Sequence, residues 1–231
     1  MTALYYYVKA QNTPKRRKKT SFFRFLPLFL IIAGTISLGN VVFPLFQYQI
    51  KSRQFSRPLI IPLVSATNAS PIEDLTRPDN WFVTDQGYVP WESKITHYNL
   101  GIPKLGITKA IVQIAGDDLS KSLIHYHNTA LPGEKGNTVI FGHSVLPQFF
   151  DINNYKTIFS TLHTLKEGDK ILVDFDGITY KYEVYKMVEV GPNDISVLEQ
   201  RFDESILSLI TCAPPGTYLR RLVVKSKLIQ Y

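Results

Sequence analysis

The chain has 231 residues and a single cysteine, Cys212, so an internal disulfide is impossible and a thiol-paired scaffold is excluded. Acidic side chains are missing before Glu73, a stretch that carries 10 Lys and Arg. From Glu73 onward 16 Lys and Arg meet 19 Asp and Glu, a net of −3, so the overall formal charge of +7 belongs to the N-terminal segment. Nucleic-acid binding needs a basic face on a folded domain, and the C-terminal bulk lacks that excess. Charge of either sign is absent from Phe25 to Ile50. There is no internal repeat and no long low-complexity run. A zinc site needs several Cys or His at ligand spacing, and His125-x-His127 with one remote cysteine falls short of it.

The uncharged stretch has an apolar heart, Phe25–Phe46, which as a helix spans roughly 33 Å and so matches a hydrocarbon core of about 30 Å. Pro27 lies near its start and Pro44 near its end, where a helix loses least. Lys15-Arg16-Arg17-Lys18-Lys19 and Arg24 precede it, which predicts an N-terminus held in the cytoplasm and a C-terminal bulk outside. A cleaved signal peptide normally has an apolar region of about 7–15 residues. The small residues Thr67-Asn68-Ala69 also lie too far on for a cleavage site. The sequence therefore predicts a cytoplasmic basic segment at 1–24, an uncleaved transmembrane signal anchor at 25–46, an extracellular linker at 47–80 and a catalytic domain at 81–231.

The linker is marked by Pro58, Pro62, Pro71 and Pro78, and within it Leu59-Ile60-Ile61 and Leu63-Val64 are candidates for docking on the domain or the membrane surface. Beyond Trp81 the residues read as one mainly β domain. Strand-like segments are Thr96–Ile102, Ile107–Ile114, Thr138–Phe141, Lys170–Phe175, Ile178–Val190, Ile206–Thr211 and Leu219–Ile229. Asp176-Gly177 between two of them is a hairpin signal. Helical patterning is confined to short pieces such as Asn154–Leu165.

Cys212 ends the apolar run Leu207-Ser208-Leu209-Ile210-Thr211-Cys212, and Arg220-Arg221 open the next run, Leu222-Val223-Val224. A nucleophilic cysteine needs a base or cation beside it to hold the thiolate, and a donor for the oxyanion. Of five histidines, His143 stands apart, because a β-rich stretch runs through Val139-Ile140-Phe141 to Gly142, which leaves room to present the imidazole at a strand end. Successive strand residues face opposite ways, so only one of Arg220 and Arg221 can face Cys212.

These segments together resemble the sortases, the membrane-anchored cysteine transpeptidases of bacterial surfaces. The family pattern TLxTC is met by SLITC, followed by RRLVVKSKL; the approach HYHNTALPGEKGNTVIFGHS resembles that to the family's histidine, and IPKLGI at Ile102–Ile107 resembles the start of its barrel. The resemblance runs from about Thr96 to Tyr231. It implies a closed β-barrel of about eight strands with short helices, after one N-terminal transmembrane helix. It also implies Cys212 as nucleophile, His143 as acid/base, Arg221 as oxyanion and substrate clamp, and Thr211 as an aid near the oxyanion. Arg221 is chosen because it directly precedes the apolar strand. Ser208 departs from the pattern's Thr, keeping the hydroxyl and losing a methyl. The order of residues separates the chain from papain-like proteases, in which Cys precedes His, and no Ser-His-Gly precedes Cys212 as in the L,D type of wall transpeptidase.

The implied activity is cleavage of an LPxTG-like sorting signal through a thioester and transfer to an amine of the cell wall or of a pilin, with hydrolysis as a side reaction. The implied partners are surface proteins bearing that signal, the amine acceptor and the membrane. The connection Met187–Leu207 forms one wall of the family's peptide groove. No organic cofactor and no metal is expected; calcium activation occurs in some relatives, but no carboxylate cluster marks such a site here. The competing reading is a catalytically silent, membrane-anchored module that binds surface proteins.

Overall fold

A computed structural model describes residues 22–55, 76–81 and 95–230. The basic run at 15–19, the apolar pieces at 59–61 and 63–64 and the small residues at 67–69 lie outside the described residues. The chain divides into a unit of residues 1–40 and a unit of residues 41–231.

The uncharged stretch forms helix α1 (Phe22–Ser52), which runs on past Phe46 and so encloses Pro44. Phe29, Leu30, Ile31, Leu38 and Phe46 are all exposed. An exposed apolar helix surface of this kind suits hydrocarbon, whereas Tyr48 near the helix's C-terminal end is buried in the barrel core. The segment Phe25–Ser52 is long and apolar enough to cross a membrane.

The second unit is built on eight strands: β1 (His97–Ile102), β2 (Ile107–Ile114), β3 (Leu123–His125), β4 (Gly136–Phe141), β5 (Lys170–Phe175), β6 (Ile178–Val190), β7 (Ser205–Ala213) and β8 (Arg220–Gln230). They close into a barrel in the order β1-β2-β3-β4-β7-β8-β6-β5. The β2–β3 and β4–β7 pairs are parallel and the others antiparallel. Closure leaves no open edge.

Burial follows what covers each strand. In β5, Ile171, Val173 and Phe175 point inward and alternate with half-buried residues, the period-two pattern of a strand covered on one face. In β4 every residue is buried, and in β7 every residue from Leu207 to Ala213. Such continuous runs belong to strands covered on both faces. The inner face meets the barrel core of Leu100, Ile140, Tyr182, Leu207, Leu209 and Leu222. The outer face meets a second cluster that includes Trp81, Leu119, Val139, Phe141, Val197, Ile210, Cys212 and Val223.

Asp176 and Gly177 both take positive φ, 51° and 76°, and join β5 to β6 as a two-residue turn of the kind that matches strand twist. Two local expectations give way. β3 is three residues long, too short to carry a periodic signal. The helical pattern at 154–165 resolves into turns and one 3-10 segment, Leu162–Thr164. There the Asn154 carboxamide oxygen accepts from Lys156 N at 3.0 Å, and the Thr157 hydroxyl bonds Asp151 O at 2.9 Å and Asn154 O at 3.1 Å. Such side chains offer the backbone an alternative to helical bonding.

Candidate active site

Cys212 on β7 and Arg221 on β8 are direct cross-strand partners. Directly opposed residues in an antiparallel pair project to the same face. For this pair it is the outer face, where Cys212 packs with Ile210 and Val223. Arg221 Nη1 donates to Cys212 Sγ at 3.7 Å. The guanidinium is 3% exposed, and its Nε has no hydrogen-bond partner among the described residues. Further donations from Nη1 go to Tyr218 O and Arg220 O, both at 3.4 Å. Arg220, one residue earlier, is exposed. The structure therefore brings Arg221, and not Arg220, to the thiol.

His143 follows β4. The parallel β4–β7 register ends at Phe141 opposite Ile210, and Gly142 N donates onward to Ile210 O at 3.1 Å. His143 thus lies just beyond the end of the strand that pairs with the Cys212 strand. Two side-chain bonds tie the same junction. Thr211 Oγ1 donates to Gly142 O at 2.7 Å, and Ser144 Oγ donates to Cys212 O at 2.8 Å. Thr211, expected near the oxyanion, thus has its hydroxyl directed at the backbone before His143. Ser144 was not singled out by the sequence, and its place directly after Gly142-His143 was the available signal.

Gly142 is required for a reason the sequence does not carry. A Cβ there would lie 2.4 Å from the Phe159 ring and 2.6 Å from Leu123. His143 O also accepts from Phe159 N at 3.0 Å, so Phe159 holds the histidine's own backbone. Gly142→Ala is therefore expected to displace His143. Peptide turnover should fall by about 10-fold or more, since a shift of order 1 Å costs about 10²-fold. The check is to compare turnover with the circular dichroism of the fold, which should persist at 25 °C.

Trp81 is the feature that sequence reading missed. It ends the 3-10 turn Pro78–Trp81 and is 1% exposed. Its ring lies 4.8 Å from the Arg221 guanidinium carbon, 5.4 Å from the Phe141 ring and 6.2 Å from the His143 ring. It shares the outer cluster with Cys212, so one indole packs beside both Arg221 and His143 in the cluster that holds the thiol. A tryptophan after proline in an otherwise polar segment was the only available signal. In this cluster, burial pushes the Cys212 thiol up from 9.0 to about 11, against the opposing pull of Arg221.

The remaining described histidines serve elsewhere. His125 is buried; its Nε2 faces Thr129 O at 3.3 Å, so it donates there and Nδ1 accepts from the Tyr98 hydroxyl at 2.9 Å. His163 stacks edgewise on Tyr48. Among the described residues no group of three or more His, Cys, Asp or Glu converges as a metal would require.

The barrel is closed and eight-stranded, with cysteine and arginine on adjacent strands and a histidine just past the end of the next. Residues 100–229 match the Sortase domain family, and the chain belongs to that family. It is similar to Sortase D of Bacillus subtilis (strain 168), with 25% identity over 208 residues, which cover 88% of this chain and 98% of that protein. Among solved structures it resembles a Clostridium perfringens Sortase D5 transpeptidase, at 29% identity and a TM-score of 0.50, covering 58% of this chain and 79% of that one. It also resembles a pilus-related Sortase C of Group B Streptococcus, at 28% identity and a TM-score of 0.53, covering 66% of this chain and 79% of that one. Family membership implies a cysteine transpeptidase.

Proposed function

We propose that this protein cleaves an LPxTG-like sorting signal, releases the C-terminal fragment as an amine, and transfers the new acyl end of the N-terminal fragment to an amine of the cell wall or of a pilin. The observation that carries the proposal is the Arg221–Cys212 contact at 3.7 Å on one barrel face, with the His143 ring packed on the same Trp81 indole as Arg221. The Cys212 thiolate attacks the scissile carbonyl; the C–N bond breaks, and a thioester remains on sulfur. His143 gives the departing amine its proton, then takes one from the incoming amine as the C–S bond breaks. Arg221 holds the developing oxyanion or the substrate carbonyl, for which its buried, unpartnered Nε is a ready donor. Thr211 contributes by fixing the Gly142 carbonyl, and with it the histidine's approach. Water in place of the amine gives slow hydrolysis. No cofactor is needed for these steps.

The deciding experiment is a peptide-library screen that traps the acyl-enzyme on Cys212 by mass. Acylation by LPxTG-type members, discharged by an added amine to a transpeptidated product, is the expected result. If no member acylates an intact and accessible thiol, the silent binding module is the better reading.

The proposed setting is a single membrane pass with the N-terminus inside and the barrel outside, since α1 is suited to span and a basic run precedes it. Protease added to intact cells should then remove the barrel and leave the residues before Phe25 protected. A protected barrel would reverse the orientation.

A further inference from the structure

The segment that packs Val197 beside Cys212 is positioned by side chains instead of by strand pairing. Residues 191–204 connect β6 to β7 and contain the 3-10 turn Ile195–Leu198. Val197 from this turn is buried in the cluster that holds Cys212, Trp81 and Val223, with Leu198 packed against it. Asp194 starts the turn by accepting from Ser196 N at 3.0 Å. No strand partner fixes the turn to the barrel.

The attachment is a pair of carboxamides. β4 pairs with β7 along its length, but with β3 only at Ile140 and Phe141. On that second side the Asn137 N–H and C=O need partners, because a buried backbone group left unpaired is costly. The Gln200 carboxamide supplies both: its Oε1 accepts from Asn137 N at 2.9 Å, and its Nε2 donates to Asn137 O at 3.0 Å. The same group also accepts from Ala130 N at 3.3 Å and donates to Leu198 O at 3.0 Å. In return Asn137 Nδ2 donates to Val197 O at 3.0 Å and to Glu199 O at 3.4 Å. The carbonyls of Val197, Leu198 and Glu199 therefore all end on these two side chains. Behind them, the fully buried Ser208 donates through Oγ to Asn137 Oδ1 at 2.7 Å. This bond accounts for a hydroxyl at the position where the family pattern has Thr.

Only a carboxamide offers donor and acceptor side by side without charge; glutamate lacks the donor and methionine lacks both. We infer that Gln200 and Asn137, backed by Ser208, are positioning residues that set the wall at 195–199 against the Cys212 groove and so determine which sorting peptide is accepted. The inference rests on the transpeptidase reading above, and its ligand is an extended peptide laid against the turn Ile195–Leu198, of which Ile195 is exposed.

The test uses the full-length protein and a peptide taken from the acylation screen. Gln200→Met should raise KM by about 10-fold or more with kcat within about 3-fold, the signature of lost uniform binding. Amide exchange at 196–199 should quicken while β7 stays protected. Ser208→Thr, which keeps the hydroxyl, should retain the wild-type KM, and Ser208→Ala should raise it. An unchanged KM in Gln200→Met overturns the inference. So does a joint fall of kcat, iodoacetamide reactivity and Tm, the pattern of a purely structural part. If wild type acylates with no peptide, the transpeptidase reading fails, and the exchange measurement alone decides the clamp. Unchanged exchange at 196–199 in Gln200→Met would then overturn it.

Discussion

Arg221→Ala is expected to lower kcat/KM for the sorting peptide by about 10²–10³, the usual effect of removing one oxyanion donor. Arg220→Ala, one residue away, should stay within about 3-fold, as surface substitutions usually do. The contrast follows from strand alternation. Arg221 is paired with Cys212 and reaches its sulfur at 3.7 Å, whereas Arg220 is exposed. Arg221→Lys should rescue little, because the guanidinium places several donors in a fixed fork and an ammonium is a point charge. Cys212→Ala must abolish both cleavage and transfer, since the chain has no second thiol to form a thioester. Equal losses in Arg220→Ala and Arg221→Ala, measured as peptide turnover with one substrate, would defeat the assignment of the clamp.

Trp81→Ala is expected to speed alkylation of Cys212 by iodoacetamide at neutral pH, by up to about 100-fold. Burial holds the thiol at about 11 instead of 9.0, and reactivity follows the thiolate, so that difference is worth about 100-fold in reactive species below pH 9. The Trp81 indole packs in the same buried cluster as the thiol and sits 4.8 Å from the Arg221 guanidinium. Such a cation–π contact contributes about 0.5–2 kcal/mol, small enough for a bound peptide to displace. The pH–rate profile gives the sign. In the wild-type protein the alkylation rate should keep rising toward about pH 11, and in Trp81→Ala its midpoint should move down as water and Arg221 reach the sulfur. A profile unchanged in both midpoint and neutral-pH rate would show that Trp81 is not the cover.

What could be read in advance was carried by local pattern. The β5 and β6 boundaries, Lys170–Phe175 and Ile178–Val190, were legible because both segments are rich in β-branched and aromatic residues and Asp176-Gly177 is the turn chemistry a hairpin demands. The period of a strand allowed only one of Arg220 and Arg221 to face the thiol, and the family pattern, whose arginine directly precedes the apolar strand as Arg221 precedes Leu222-Val223-Val224, chose Arg221. The expectation for 154–165 went astray because spacing suggested a helix, while Asn154 and Thr157 side chains bond the nearby backbone. β3 was invisible because three residues, Leu123–His125, hold no period and are defined by partners on β2 and β4.

Residue chemistry, order and short-range spacing by themselves determined the mainly β class and the apolar helix, and the resemblance of the motifs to the sortases supplied the closed barrel and the trio of Cys212, His143 and Arg221 as candidates. These are properties of neighbouring residues and of motif order. Tertiary structure decided everything that depends on approach across long stretches of chain. It brought Trp81 over Arg221, made glycine necessary at 142 through Phe159 and Leu123, and joined Gln200 to Asn137. A closed barrel brings distant segments to one face by its strand order, and side-chain contacts between them leave no period along the chain.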